Sequence, residues 1–370
     1  MSHSPASRSA LIDLVRQWHQ SGTPWSPSGL GTRLDWGPPL DPRHEVLSCR
    51  QLNRVIDHAV DDLTITVEAG LPLQDLQDLL AEQGQWLPID WPRAGAPGSI
   101  GGLVARGLAG GLRQRHLGVR DQIIGIGLLR ADGVEAHAGG RVVKNVAGYD
   151  LMRLLCGSWG SLALITELTL RLQPLRPARS GLLVEGDLKA QEAFRSELLR
   201  SSLTPERCDW INNGDGAWRL RLVVSSVSEQ AVEEQLNSLE TLARNQQLNP
   251  ERQPCADALT TPLDASPSAQ LVRLVLPPAQ LQRLLRDEAT EEMVRLASQA
   301  ALCVGQCATK IGDPQLSVDM SRKGTLILED YLKFSPENPG LKRDIAVAYR
   351  NLGFGLNKLG SQDNEEEEPS

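Results

Sequence analysis

The chain has 370 residues, a formal charge of -8 and a hydrophobic fraction of 41%, enough for two or three domains with real cores. A mildly acidic balance argues against nucleic acid or an anionic membrane as the main partner. No apolar run is long enough to cross a bilayer, and the start, MSHSPASRSALIDLV, lacks the charged-then-apolar layout of a signal peptide. A cytoplasmic protein with reduced thiols is expected. The six cysteines are scattered, and Cys303 and Cys307, spaced i, i+4, have no second ligand pair nearby, so packing explains them better than a metal does.

In chain order, Leu11, Leu14, Val15 and Trp18 repeat at helical spacing. HEVLSC and DLTITVEAG read as strands, the second with Leu63, Ile65 and Val67 alternating with polar residues. LQDLQDLLAEQG, Leu73 to Gly84, reads as a helix with a glycine stop. Residues 86–111 are so rich in Gly and Pro that an extended loop is expected. QIIGIGLLRADG and VEAHAGG form a hairpin pattern, YDLMRLLCG a helix, and SLALITELTLRLQP a strand ended by proline.

A seam follows at LQPLRPARSG. Beyond it GLLVEGD, LKAQEAFRSELLR, WRLRLVVSS, EQAVEEQLNSLETLAR and LVRLVLPPAQLQRLL alternate strand and helix, suiting a small antiparallel sheet with helices on one face. From about Asp287 helical segments dominate, and EEEEPS closes the chain as a solvated acidic tail. The fold class expected is α+β, with domains at 1–176, 177–286 and 287–360 and a disordered tail at 361–370.

The stretch WSPSGLGTRLDWG, Trp25 to Gly37, has the look of a phosphate loop. It lacks the lysine of a P-loop, and the third glycine of a dinucleotide fingerprint is replaced by Leu34. Gly29 and Gly31 suit a backbone nest for an anion, with Thr32 adding a hydroxyl, although an ordinary turn has the same composition. APGSIGGLVARGLAGG then places Ser99, Gly101, Gly102, Gly107, Gly110 and Gly111 within a short span. That much glycine is costly to order. A large flat ligand on bare backbone, with amides donating to its phosphates, offsets the cost; a flexible loop is the plainer reading.

Taken with GGRVVKNVAGYDLMRLLCGSWGSLALITELTLRL, these loops resemble the FAD-binding domain of the vanillyl-alcohol-oxidase and p-cresol-methylhydroxylase superfamily. Within it they are similar to the E-subunit family of bacterial glycolate oxidase (glycolate dehydrogenase). The ordered set PSGLGT-LDWG, VEAG, SIGG, RD-IIG, VVKNVAGYDL and GS-G-L-ITE-TL carries the likeness over the first 175 residues or so. The resemblance implies a two-lobed FAD-binding domain, a smaller antiparallel-sheet-plus-helices domain and a helical C-terminal tail. It implies that Ser28, Gly29, Leu30, Gly31 and Thr32 wrap the FAD pyrophosphate. Gly98, Ser99, Gly101 and Gly102 would lie along the dinucleotide toward the isoalloxazine, with Gly107, Gly118 and Asp121 as later landmarks. Lys144, Asn145, Gly148, Tyr149 and Asp150 would close over the cofactor, and Ile165 would meet its adenine-ribose part through backbone groups.

Single residues keep two readings each. Lys144 suits either a cation tuning the flavin or a surface lysine, and Asp150 suits a helix cap better than a loop anchor. His116, in an Arg-rich stretch, is expected to be exposed and not to carry a covalent flavin. Trp25, Trp36, Trp86, Trp91 and Trp159 include some that line a cleft and more that fill space. Arg93, Arg106, Arg113 and Arg115 balance diphosphate charge or are merely solvated.

Residues 180–287 contain no histidine, which argues against an independent hydroxy-acid site with its own base. The resemblance therefore implies a subunit, not active alone, that binds FAD beside a D-type flavin subunit and an iron–sulfur subunit. Glycolate or another small 2-hydroxy acid would be oxidised by the complex, and no metal would bind this chain. Attachment to the inner membrane would run through partners. A non-catalytic scaffold with a degenerate flavin fold is the alternative; a nicotinamide enzyme is remote for want of the third glycine. Two stretches depart from the family: FSPENPGLKRD, Phe334 to Asp344, and a tetratricopeptide-like helix at Leu341 to Gly360, which suits a docking appendage, a drifted tail, or a frame-shifted or fused reading frame.

Overall fold

The computed structural model describes residues 2–34, 43–90, 92–93, 98–140, 151–212, 217–254 and 261–262, with seven helical positions between 318 and 349. The chain divides into two compact units, Met1–Leu34 with Leu40–Pro267, and Asp35–Pro39 with Ser268–Ser370. In the second unit the described positions are helical, and the Thr325 hydroxyl donates to the Ser321 carbonyl at 2.9 Å. The tetratricopeptide-like segment and the acidic tail lie outside the described residues, apart from Ile345 and Tyr349.

The first unit begins with β1 (Ser2–His3), α1 (Arg8–Ser21), β2 (Trp25–Ser28) and β3 (Glu45–Ser48). Ser7 caps α1 by accepting from the Ala10 N–H at 3.2 Å, and Gly22, at φ +69°, ends it in the left-handed conformation glycine adopts without strain. Leu11, Val15 and Trp18 bury one face of α1 with Leu47 and Cys49, beside a parallel sheet of order β1-β3-β2. A short strand thus leads directly into the first glycine loop, where the sequence reading saw only loop.

The central sheet is antiparallel and uses β4 (Val55–Ala59) and β5 (Thr64–Glu68). After it come α2 (Leu73–Glu82), β6 (Gln85–Trp86), β7 (Pro92–Arg93), α3 (Ile100–Arg106), α4 (Arg113–His116) and α5 (Val119–Gln122). The hairpin β8 (Ile123–Leu129) and β9 (Glu135–Gly139), the helix α6 (Leu151–Leu155), β10 (Leu164–Arg171) and β11 (Gln173–Pro174) complete this lobe. The sheet order is β4-β5-β10-β8-β9. The apolar residues of β5 enter the main core as expected, but its polar residues are buried too. Thr66 and Thr169 hydroxyls bond across the sheet at 3.0 Å, and Glu68 takes the Arg54 N–H and guanidinium at 2.9 Å each. Hydrogen bonding satisfies that face.

Residues 86–111 are not one extended loop. Ser99 caps α3, whose Ile100, Leu103 and Val104 are buried at i, i+3, i+4, and Gly107 ends it at φ +60°. Helical apolar spacing outweighs glycine content here.

The second lobe follows with β12 (Ala178–Glu185), α7 (Leu188–Leu198), β13 (Arg207–Ile211), β14 (Arg219–Ser226), α8 (Glu229–Asn245) and β15 (Asn249–Gln253), after which β16 (Thr261–Pro262) pairs in parallel with β7 of the first lobe. The antiparallel sheet of the second lobe runs β13-β14-β12-β15. Leu182, Val184, Leu220, Leu222 and Val224 form a core with Phe194 of α7 and with Val232, Leu236 and Leu239 of α8.

Residues from that sheet also carry charge to the first lobe. Arg207, 1% exposed, pairs with Asp90 at 3.2 Å and with Asp209, and Asp90 also accepts from the N–H groups of Gly110 and Leu112 at 2.9 and 3.2 Å. Burial drives the Asp90 pKa upward against the pull of Arg207. Glu206, also 1% exposed, pairs with Arg179 at 2.8 Å and with the His116 Nε2 at 3.5 Å. His116 is therefore buried, contrary to expectation. Its ring meets Trp86 edge-on at 5.3 Å, and the Arg179 guanidinium stacks on the same indole at 4.8 Å. Desolvation raises the Glu206 pKa, but the bonds from His116 and Arg179 more than offset it, and the net shift is downward.

Two outcomes follow from this junction. Replacing Arg207 by alanine leaves the buried Asp90 carboxylate without its cation, while the partly exposed Asp209 keeps Arg221, and urea unfolding should show a loss of about 3–5 kcal/mol. Glu206 has a folded pKa below its ordinary value of 4.5, so its stabilisation is complete above that value and is lost as pH falls through the folded one. Thermal melts taken from pH 7 down through about 4 should show that loss in the native chain and a smaller one in Glu206→Gln.

Candidate cofactor site

The first glycine loop is built by tying its carbonyls back to β3 and the residues after it. The Ser28 carbonyl accepts from the Cys49 N–H at 2.8 Å, and the Ser48 hydroxyl donates to the Gly29 carbonyl at 2.8 Å. Arg50 donates to the Leu30 carbonyl at 2.9 Å. In a trans peptide the N–H points opposite to its carbonyl. Pinning the carbonyls of Gly29 and Leu30 therefore turns the N–H groups of Leu30 and Gly31 to the other side, where among the described residues neither has a backbone acceptor. Gly31 sits at φ +76°, which lets successive amides turn the same way. The Thr32 hydroxyl accepts from Arg33 at 2.9 Å.

The second loop is stitched to the 69–73 segment. Leu73 N–H donates to the Gly98 carbonyl at 3.0 Å, Ile100 N–H to Leu71 at 3.0 Å and Gly101 N–H to Ala69 at 2.8 Å, while Gly102 N–H reaches the Ser99 hydroxyl at 3.2 Å. The amides of residues 100–102 are thus already used. This differs from the expectation that amides of both loops donate to phosphates: at residues 100–102 the second loop offers close backbone approach instead. A Cβ on Gly29 would overlap the Ser99 hydroxyl, one on Gly98 would lie 2.6 Å from the Arg33 guanidinium, and one on Gly101 would lie 2.7 Å from the Ala69 methyl. The two loops touch each other through bare backbone, which is why glycine stands at these positions.

The later landmarks lie around this junction. Gly107 leaves 3.2 Å between its absent Cβ and Gly157. Gly118 N–H donates to the Asp121 carboxylate at 3.1 Å, so Asp121 caps α5, whose Val119 joins the same core as α3. Ile165 pairs with Leu128 next to a register shift in β10, and the adjoining Thr166 carbonyl accepts from Ala69 N–H at 3.0 Å. Lys144, Asn145, Gly148, Tyr149 and Asp150 lie outside the described residues, as do Trp36, Trp91 and the side chain of Arg93. Trp25 packs 6.3 Å from Trp18, Trp86 belongs to the lobe junction, and Arg113 and Arg115 are exposed.

Sequence reasoning missed Arg33, Ser48 and Arg50. Arg33 stands two residues after Gly31 and had a visible signal; Ser48 and Arg50 act from a distant strand end and had none. Among the described residues no group of three His, Cys, Asp or Glu is placed to hold a metal. Burial pushes the Cys49 and Cys208 thiols up to about 12, so both stay protonated. A nest of inward amides beside a bare glycine wall, with arginine close by, suits an elongated ligand with a diphosphate at its middle.

Comparison with known proteins bears on the identity of that ligand. Residues 3–139 match the family described as FAD binding domain. Over 231 residues the chain is 34% identical to glycolate oxidase subunit GlcE of Escherichia coli (strain K12), covering 62% of this chain and 65% of that one. It is 34% identical over 200 residues to D-2-hydroxyglutarate dehydrogenase of Xanthomonas citri pv. viticola, covering 52% of this chain and 42% of that one. It is 31% identical over 211 residues to glycolate oxidase subunit GlcD of Bacillus subtilis (strain 168), covering 56% and 44%. The chain thus spans less than two thirds of each of these curated relatives. Among solved structures, alkyldihydroxyacetonephosphate synthase shares the fold at a TM-score of 0.56 and 16% identity, over 68% of this chain and 53% of that one. FAD fits the loops described above. No helix among the described residues is long and apolar enough to cross a membrane.

The packing of the second loop has a direct test. Gly101→Ala drives a methyl into the Ala69 backbone and should cost about 1–3 kcal/mol in urea unfolding. Gly140→Ala, with nothing within 4 Å, should leave stability within about 0.5 kcal/mol.

Proposed function

We propose, from the match of residues 3–139 to the family described as FAD binding domain and the similarity to glycolate oxidase subunit GlcE of Escherichia coli, that this chain is an FAD-dependent oxidoreductase of the p-cresol-methylhydroxylase type and the FAD-carrying subunit of a multi-subunit 2-hydroxy-acid dehydrogenase acting on glycolate. The observation that carries the cofactor part of this reading is the pair of pinned carbonyls, Gly29 by Ser48 and Leu30 by Arg50, which leaves the amides of Leu30 and Gly31 without a backbone acceptor among the described residues; the substrate class is supported by the similarity to GlcE.

In this reading Ser28, Gly29, Leu30, Gly31 and Thr32 hold the diphosphate, and Arg33 adds positive charge beside it. Gly98, Ser99, Gly101, Gly102 and Gly107 form the wall along which the dinucleotide lies. Gly118 and Asp121 fix the turn behind that wall, and Ile165 supports its floor. Lys144, Asn145, Gly148, Tyr149 and Asp150, outside the described residues, are assigned to its cover by the resemblance alone. FAD held by these residues would supply the capacity to accept the two electrons of a hydroxy-acid oxidation and release them singly.

No proton-transfer step is assigned to this chain. His116, from the first lobe, is brought to the histidine-free second one, but there it is closed into a pair with Glu206 beneath Trp86. A carboxylate-stabilised, buried imidazole of this kind serves the lobe junction rather than a substrate. The base is therefore supplied by a D-type flavin partner, and the electrons continue to an iron–sulfur partner. The complex is cytoplasmic, held at the inner membrane by those partners. The domains proposed are 1–176 for FAD, 177–286 for the cap, and 287–360 as a helical extension before the tail.

The chain purified alone should take up FAD, seen as flavin absorbance, yet reduce a dye with glycolate only when its partners are added. Full-rate glycolate oxidation by the chain alone would overturn the subunit reading, and a colourless chain that restores activity to its partners would favour a scaffold. Ser48→Ala and Arg50→Ala should each weaken FAD binding about tenfold, because each frees a carbonyl to rotate, as read by titration calorimetry.

A further inference from the structure

Trp159 is a large aromatic residue in a backbone conformation that such residues rarely adopt. It sits at φ +56° between Gly157 at φ +84° and Gly160 at φ +76°. A bulky side chain in the left-handed region costs energy, which surrounding bonds must offset. They are present: Gly157 N–H donates to the Val104 carbonyl at 3.0 Å and Trp159 N–H to the Ala105 carbonyl at 2.8 Å, so the turn is clamped on the last carbonyls of α3. The result is an indole that is 54% exposed. Core packing does not explain that placement, because the ring is not in a core.

The turn that carries the ring stands beside the first glycine loop. A Cβ on Gly160 would overlap the ring of Pro27, two residues before Gly29. Arg106, whose guanidinium lies 5.4 Å from the Trp159 ring, donates to the Arg33 carbonyl at the end of that loop. One arginine thus links the indole face to the segment that holds the diphosphate. At the other end of the second loop, Gly110 and Gly111 abut Asp90 and Asp209 at the lobe junction. The ring that exchanges electrons needs an enclosed, water-poor place, and an open, half-exposed indole does not provide one. It suits the ring that does no chemistry.

We infer that Trp159 is a stacking platform for the adenine ring of the dinucleotide, presented by the strained Gly157–Gly160 turn and steadied by Arg106. The inference rests on FAD as the cofactor and adds a residue that holds its adenylate end. Stacking on an aromatic face needs no hydrogen-bond readout, so the tryptophan supplies affinity through area alone.

The test uses the full chain with FAD, ADP and inorganic pyrophosphate as separate probes. The Trp159 contribution to emission is taken as native minus Trp159→Phe. ADP should quench it, and inorganic pyrophosphate, which lacks adenine, should not. Trp159→Ala should weaken FAD and ADP binding about tenfold, while Trp159→Phe keeps most of the affinity and both variants melt as the native chain does. Binding of ADP with no quenching, or quenching by pyrophosphate equal to that by ADP, would overturn the inference. An alanine variant that binds FAD within about twofold of native would overturn it as well. A native chain that takes up no FAD would sink the cofactor assignment and this inference together, and that control is read separately.

Discussion

Two buried carboxylates, Asp90 and Glu206, set the terms for how the lobes of the first unit meet. An ionised carboxylate out of water is costly unless an opposite charge and hydrogen bonds compensate it. Asp90 belongs to the first lobe and finds its guanidinium on Arg207 of the second; Glu206 belongs to the second and reaches back to His116 of the first. The two pairs cross in opposite directions, so displacing either lobe would uncover charge at both. Such a junction adds little net stability compared with apolar packing, but it has one good arrangement and many bad ones.

That arrangement bears on the loops. Asp90 also takes the N–H groups of Gly110 and Leu112, so the far end of the second glycine loop is held by the same carboxylate that holds the second lobe. Its near end is stitched to residues 69–73 and pressed against Gly29. A loop that looks free in composition is fixed at both ends. The entropy of ordering so many glycines is met by protein contacts before any ligand arrives.

Much of this was legible in the sequence because it rests on local patterns. The hairpin β8–β9, the amphipathic helices α1, α2, α7 and α8, and the seam before β12 follow periodicity and punctuation. Gly31 was legible as a turn glycine because few other residues tolerate its φ of +76°. What escaped was non-local. α3 was hidden by its glycines although Ile100, Leu103 and Val104 carry helical spacing. β2 was hidden because Pro27 and two serines give it no apolar alternation. The roles of Ser48 and Arg50 depend on β3 pairing beside β2 in register, which no spacing along the chain announces. His116 was read as exposed because its neighbours in sequence are arginines; its neighbours in space are Trp86 and Glu206.

The crossed charges at the lobe junction have a bearing on how this architecture can be recombined. A second lobe grafted from a relative would have to bring partners for Asp90 and His116, and a first lobe moved elsewhere would carry those two residues into a surface not made for them. The two lobes are therefore constrained to travel and change as a matched set, even though each has a hydrophobic core of its own.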